Sequence, residues 1–130
     1  MTDLLRAGDA RFVSLRTYRR DGTGVDTPVW VVRDGDALAF TTPDGSGKVK
    51  RLRRDPRVTV VPCSRRGAVE PGAQPSAGRA AFVDDPAEAE RLTGRFRARY
   101  GLEYRVFLLV ERLARRGRNS DRVLLRVVPA

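Results

Sequence analysis

At 130 residues the chain is long enough for one domain with a core of its own, and its 41% hydrophobic content excludes a disordered polymer. It has one cysteine, Cys63, which excludes an internal disulfide, and no histidine, which excludes a histidine triad, a histidine general base and ordinary zinc sites. The net charge of +10 points to anionic partners.

Residues 2–8 read as a short lead-in helix whose charged residues give no sign of a secretory signal. The longest apolar run, Val106 to Val110, is five residues against the roughly 20 that cross a bilayer, so a cytoplasmic chain without a membrane span is expected. Phe12 to Tyr18 reads as a strand, and 19–24 as a turn. Asp26 to Arg33 is the next strand, with Thr27, Val29 and Val31 on one face and Pro28, Trp30 and Val32 on the other. Asp34-Gly35-Asp36 closes a hairpin into a strand from Ala37 to Thr42, where Thr41 and Thr42 point opposite ways, so that one is expected to face any site there. Ser46 caps a helix that ends before Asp55-Pro56, and Arg57 to Cys63 follows as a β-branched strand. Residues 64–75, with Gly67, Pro71, Gly72 and Pro75, read as a mobile loop, and 76–84 as a strand.

Asp85, Pro86 and Glu88 open a helix with a capping box, and its stripe of Leu92, Phe96 and Tyr100 stops at Gly101. A second helix from about Glu103 to Arg116 carries Val106, Leu109, Val110 and Leu113 and stops at Gly117, with Tyr100 and Tyr104 expected to pack the two helices together. Arg122 to Val128 returns as a strand. Hairpin-linked strands without regular βαβ alternation predict an antiparallel sheet or barrel, helices outside, as a single domain over 1–130.

Only two lysines occur among twenty-six basic residues, and they lie together in Ser46-Gly47-Lys48-Val49-Lys50. The free N–H groups of a helix start, its dipole and an ammonium on the first turn make a place for a phosphate. The plainer reading is a solvated basic helix. The remaining basic residues are all arginine and are spread over the chain without a nucleic-acid motif, so no specific nucleic-acid partner is expected. A lone tryptophan on a strand, Trp30, more often packs than binds. Cys63, with no histidine to activate it, reads as a small buried hydrophobe.

The strands Phe12–Tyr18 and Thr27-Pro28-Val29-Trp30-Val31, the pair Thr41-Thr42, the segment Gly45 to Arg53 and Asp55-Pro56-Arg57-Val58 together resemble the pyridoxamine-phosphate-oxidase-like family. Within it they are most similar to the small actinobacterial branch that uses the deazaflavin coenzyme F420, over about residues 9–128. The resemblance implies a mainly β (α+β) fold: an antiparallel split β-barrel of the FMN-binding type with flanking helices. It also implies a homodimer with cofactors in grooves between subunits, and open half-barrel edges give a reason to dimerise.

Carried over by resemblance, Lys48 approaches the cofactor phosphate beside Ser46 and Gly47, and Lys50 or Arg51 reaches the acidic tail. Thr41 and Thr42 lead into this site. Pro28, Val29, Trp30 and Val31 run past the ring system, and Pro62 and Cys63 close a neighbouring strand. The family's FMN oxidases place a basic residue and a lysine on a strand before a Gln-Ser pair. That pattern is missing here, which favours F420 over FMN. The implied activity is hydride transfer between reduced F420 and a small organic acceptor, with the cofactor carrying the chemistry, no metal and no catalytic side chain. The alternatives are an FMN-dependent enzyme of the same fold, a non-catalytic F420 carrier, and a basic nucleic-acid-binding module.

Overall fold

Runs of β-branched and aromatic residues become strands in this chain, and Gly- and Asp-containing turns separate them. The computed structural model describes residues 3–43, 46–115 and 122–130. Its strands are β1 Phe12–Tyr18, β2 Gly24–Asp34, β3 Ala37–Pro43, β4 Arg57–Cys63, β5 Ser76–Phe82 and β6 Arg122–Pro129. The helices are α1 Asp3–Arg6, continued by a 3-10 turn at Ala7–Asp9, then α2 Gly47–Arg54 and α3 Pro86–Arg115. Every strand pairing is antiparallel, and the order β1-β2-β3-β6-β5-β4 closes because β4 pairs back onto β1. The closed barrel leaves no open half-barrel edge among the described strands, so the edge-based reason for dimerisation does not apply.

Alternation along β2 divides two cores, as its sequence predicts. Val29 and Val31 point into the barrel with Val13, Leu15, Phe40 and Leu125. Trp30 and Val32 point outward and are covered by Leu92, Phe96 and Tyr100 of α3. Gly78 on β5 is required where it stands. A Cβ there would lie 2.7 Å from Leu4 and Val127 side-chain atoms and 2.9 Å from the Val128 carbonyl, a crowding only glycine avoids.

Asp85 caps α3 by accepting the Ala87 N–H at 3.0 Å, but Glu88 does not complete the expected capping box. Its carboxylate turns instead to Arg91 and Arg126, because two guanidinium partners outweigh one backbone N–H. Gly101 (φ 54°, ψ −128°) breaks the helix, in agreement with the two helices read from the sequence. The stop expected at Gly117 lies outside the described residues, as does the Tyr104 side chain. Before the break, Leu92 and Phe96 are fully buried; after it, Leu102, Val106, Leu109 and Val110 are all about half exposed or more. These four residues of the second stripe are therefore left uncovered among the described residues. Among the described residues no helix is long and apolar enough to cross a membrane.

The start of α3 is tied to the barrel by charge. Asp34, at the end of β2, receives two 2.9 Å bonds from Arg91 and pairs with Arg126 of β6 at 2.7 Å. The Arg91 hydrogen bonds, followed by the charges of Arg91, Arg126 and Arg95, hold this carboxyl below its ordinary value although burial opposes them. A depressed carboxyl stabilises the fold above its unfolded value near 3.8, and that contribution is lost as pH falls through the folded value. Asp34→Asn is therefore expected to cost about 1–2 kcal/mol at neutral pH, after discounting for the half-exposed Arg91. It should also flatten the stability curve below pH 4. Urea melts of both proteins from pH 3 to 7 check this, and parallel curves would refute it.

Candidate functional site

The sequence around α2 fixes one wall of a groove. Ser46 takes an extended conformation (φ −67°, ψ 161°), and its hydroxyl accepts the Val49 N–H at 3.4 Å. The helix ends where the Asp55 N–H bonds the Arg51 carbonyl at 2.8 Å. Val49 and Leu52 are buried against the barrel, which leaves Gly47 and Lys50 exposed and Lys48 half-buried. The Gly47 and Lys48 N–H groups belong to the first turn, which has no acceptors inside the helix.

The groove that Lys48 enters has a volume of about 510 Å³. It is bordered by Thr41, Thr42 and Pro43 of β3, by Lys48, and by Arg122 of β6. Apolar surface comes from Phe12, Pro28, Val29 and Trp30 of the barrel and from Val106 and Val110 of α3. Arg65 and Glu103 also border it, joined at 2.6 Å, and Glu103 holds Arg11 as well. This carboxylate is thus already neutralised. Arg122 donates to the Thr41 hydroxyl at 3.1 Å and to the Thr41 carbonyl at 3.2 Å. Lys48, by contrast, has no hydrogen-bond or ion-pair partner among the described residues. Burial, then the neighbouring charges of Arg51 and Arg122, push its ammonium below the ordinary lysine value. A half-buried cation without a counterion, among other cations and above a free helix start, is a place that favours an anion.

Of the residues singled out in the sequence, Pro28, Val29, Trp30, Thr41, Thr42 and Lys48 meet in this groove. Both threonines border it, not one of the two, because the groove lies over the end of β3 and touches three consecutive residues. Ser46 is adjacent, its hydroxyl 3.4 Å from that of Thr42. Trp30 packs as well as borders: its ring stacks on Tyr100 with centroids 4.9 Å apart. Val31 faces the barrel interior and is 1% exposed. Gly47 and Lys50 are exposed beside the groove without bordering it, and Arg51 donates to the Thr17 hydroxyl at 2.7 Å. Pro62 and Cys63 lie on β4, outside the groove's border. Burial pushes the Cys63 thiol up, which suits an inert packing residue. Phe12, Arg65, Glu103, Val106, Val110 and Arg122 were not singled out as site residues, since each arrives through long-range pairing or packing. Arg122, for example, is placed by its register opposite Pro43.

A closed antiparallel six-stranded barrel with flanking helices and a lateral groove defines the split β-barrel class. The chain belongs to the pyridoxamine 5'-phosphate oxidase family, whose sequence profile matches residues 1–130. Its fold is similar to that of an F420 reductase, at 19% identity and a TM-score of 0.60, covering all of this chain and 95% of that one. It is also similar to a pyridoxamine 5'-phosphate oxidase-related, FMN-binding protein from Nostoc punctiforme (17% identity, TM-score 0.60, covering 97% of this chain and 74% of that one). A third similar fold is the heme storage protein HutZ from Vibrio cholerae (14% identity, TM-score 0.67, covering 95% and 84%). A search of curated proteins finds no match.

Proposed function

We propose that the groove holds coenzyme F420 and that the protein moves a hydride between the reduced deazaflavin and a small organic acceptor. The observation that carries this reading is the unpartnered, half-buried Lys48 ammonium at the start of α2, bordering a groove that is otherwise lined largely by apolar residues. The residues present fit such a cofactor: Lys48, the Ser46 hydroxyl and the first-turn N–H groups would hold its phosphate, and Arg122 adds positive charge beside them. Pro28, Val29 and Trp30 offer the ring system an apolar wall, and Val106 and Val110 of α3 add further apolar surface. When bound, the deazaflavin supplies the hydride, so no catalytic side chain is needed, in keeping with a chain that has no histidine. The likeness to an F420 reductase and the missing Gln-Ser pattern support this cofactor. The FMN-binding neighbour supports a second reading, an FMN-dependent enzyme.

Titration of the purified protein with F420 and with FMN, followed by fluorescence, separates the two. Saturable F420 binding at micromolar concentration with weaker FMN binding is expected. The reverse order favours the FMN enzyme, and binding of neither sinks both.

The same reading includes a homodimer, in which a second copy covers the exposed stripe of Leu102, Val106, Leu109 and Val110. Sedimentation at micromolar concentration should give twice the 14.5 kDa chain mass, and a purely monomeric boundary would remove the dimer.

A further inference from the structure

A second pocket of about 350 Å³ opens between the 3-10 turn, the end of β2 and the first half of α3. Arg33, Arg95 and Arg99 border it, and Asp9 is its one acidic residue. Asp9 makes no ion pair with them among the described residues. Three guanidinium groups and one carboxylate leave this concave surface with a net charge of about +2.

The arrangement is costly unless something repays it. Arg95 and Arg99 stand four residues apart on one helix face, where like charges destabilise a helix. Each is anchored to backbone: Arg95 donates to the Arg33 carbonyl, and Arg99 to the Ala10 carbonyl at 2.7 Å. Arg33 is tied to the Gly35 carbonyl at 3.4 Å. The Nε of Arg99 is buried with no acceptor. Anchoring holds the guanidinium planes in place, so little side-chain freedom is lost when an anion arrives.

We infer that this pocket is a second anion site, built for a phosphoryl dianion: inorganic phosphate or a small phosphate monoester. Guanidinium forks match phosphoryl oxygens in pairs, and a charge near −2 offsets the excess of the pocket. Val32 and Ala98 give the pocket apolar surface for the body of a monoester. The site is separate from the Lys48 groove and does not depend on what that groove binds.

Calorimetric titration with inorganic phosphate and with glycerol phosphate, at matched ionic strength, tests it. Lys48→Ala should keep one phosphate site per chain. Arg33→Gln and Arg95→Gln should each weaken binding about tenfold or more, whereas Arg79→Gln, on the exposed face of β5, should leave it unchanged. Arg33→Gln keeps the test open should loss of the Arg95 anchor unfold the helix, which circular dichroism reports. Tighter binding of glycerol phosphate names a monoester as the ligand, and tighter binding of inorganic phosphate names the free ion. Loss of all phosphate binding in Lys48→Ala, or equal losses in the three arginine variants, overturns the site.

Discussion

Tyr100→Phe is expected to lower the stability of the folded chain by about 2 kcal/mol or more, although it removes a single oxygen atom. That oxygen accepts the Val31 N–H at 3.0 Å and lies 2.7 Å from the carbonyls of Val31 and Arg11, to one of which it donates. The position explains the effect. The β1–β2 ladder ends at Phe12 opposite Trp30, and from Val31 onward β2 pairs with β3 instead. The Tyr100 hydroxyl stands where the next residue of β1 would be and satisfies the backbone groups that the departing strand leaves behind. Without it a buried donor and a buried acceptor are unpaired, each costing about 1–3 kcal/mol. Tyr100→Ala should cost more, about 3–5 kcal/mol or above, because it also removes the ring stacked on Trp30 and Phe96. Chemical denaturation followed through Trp30 fluorescence measures both variants. A loss under about 0.5 kcal/mol for Tyr100→Phe would mean that water replaces the hydroxyl at no cost.

Tyr100 also shows where reading the sequence stops. Its place in the stripe with Leu92 and Phe96 marks it as a packing residue expected to join the two helices, but it packs instead on Trp30 of β2. Nothing local announces that its hydroxyl bonds a strand 69 residues away. The strands themselves were legible because their signals are local: loose alternation gave β1, and the β-branched run Val58 to Val61 gave β4, their full extents. β2 runs two residues further at its start than alternation predicts, since Gly24 and Val25 are made extended by pairing with Tyr18 and Thr17. The groove divides in the same way. Lys48 was legible because cap, turn and lysine scarcity all lie within a few residues. Arg122 enters only through the β3–β6 register, and Val106 and Val110 only through the course of α3 beyond Gly101. The capping box failed for a related reason: Glu88 found a partner on β6, 38 residues away, that its local pattern does not contain.

Lys48→Ala is expected to weaken binding of a phosphate-bearing cofactor about ten- to a hundredfold while leaving the empty protein folded and slightly more stable. The two effects share one cause. A charge-assisted bond from a half-buried ammonium to a phosphate contributes about 1.5–3 kcal/mol, and this is lost with the side chain. In the empty protein the same ammonium has no partner, is partly desolvated and is repelled by Arg51 and Arg122, so its folded pKa lies below the unfolded one. The unfolded chain then binds more protons between the two values, and stability rises with pH across that window as the burden of the charge is relieved. The alanine variant should lack this rise. Cofactor affinity runs the other way: it falls as pH climbs through the depressed value of Lys48, because the ammonium that meets the phosphate is discharged. Arg79→Ala, which also removes one positive charge but from an exposed site on β5, should lower affinity only through screened long-range attraction. Fluorescence titrations of the three proteins across pH 7–10, paired with thermal melts, measure both trends. Equal losses of affinity at Lys48 and Arg79 would show that diffuse charge holds the ligand. A destabilised Lys48→Ala would show that the ammonium has a structural partner and is not waiting for one.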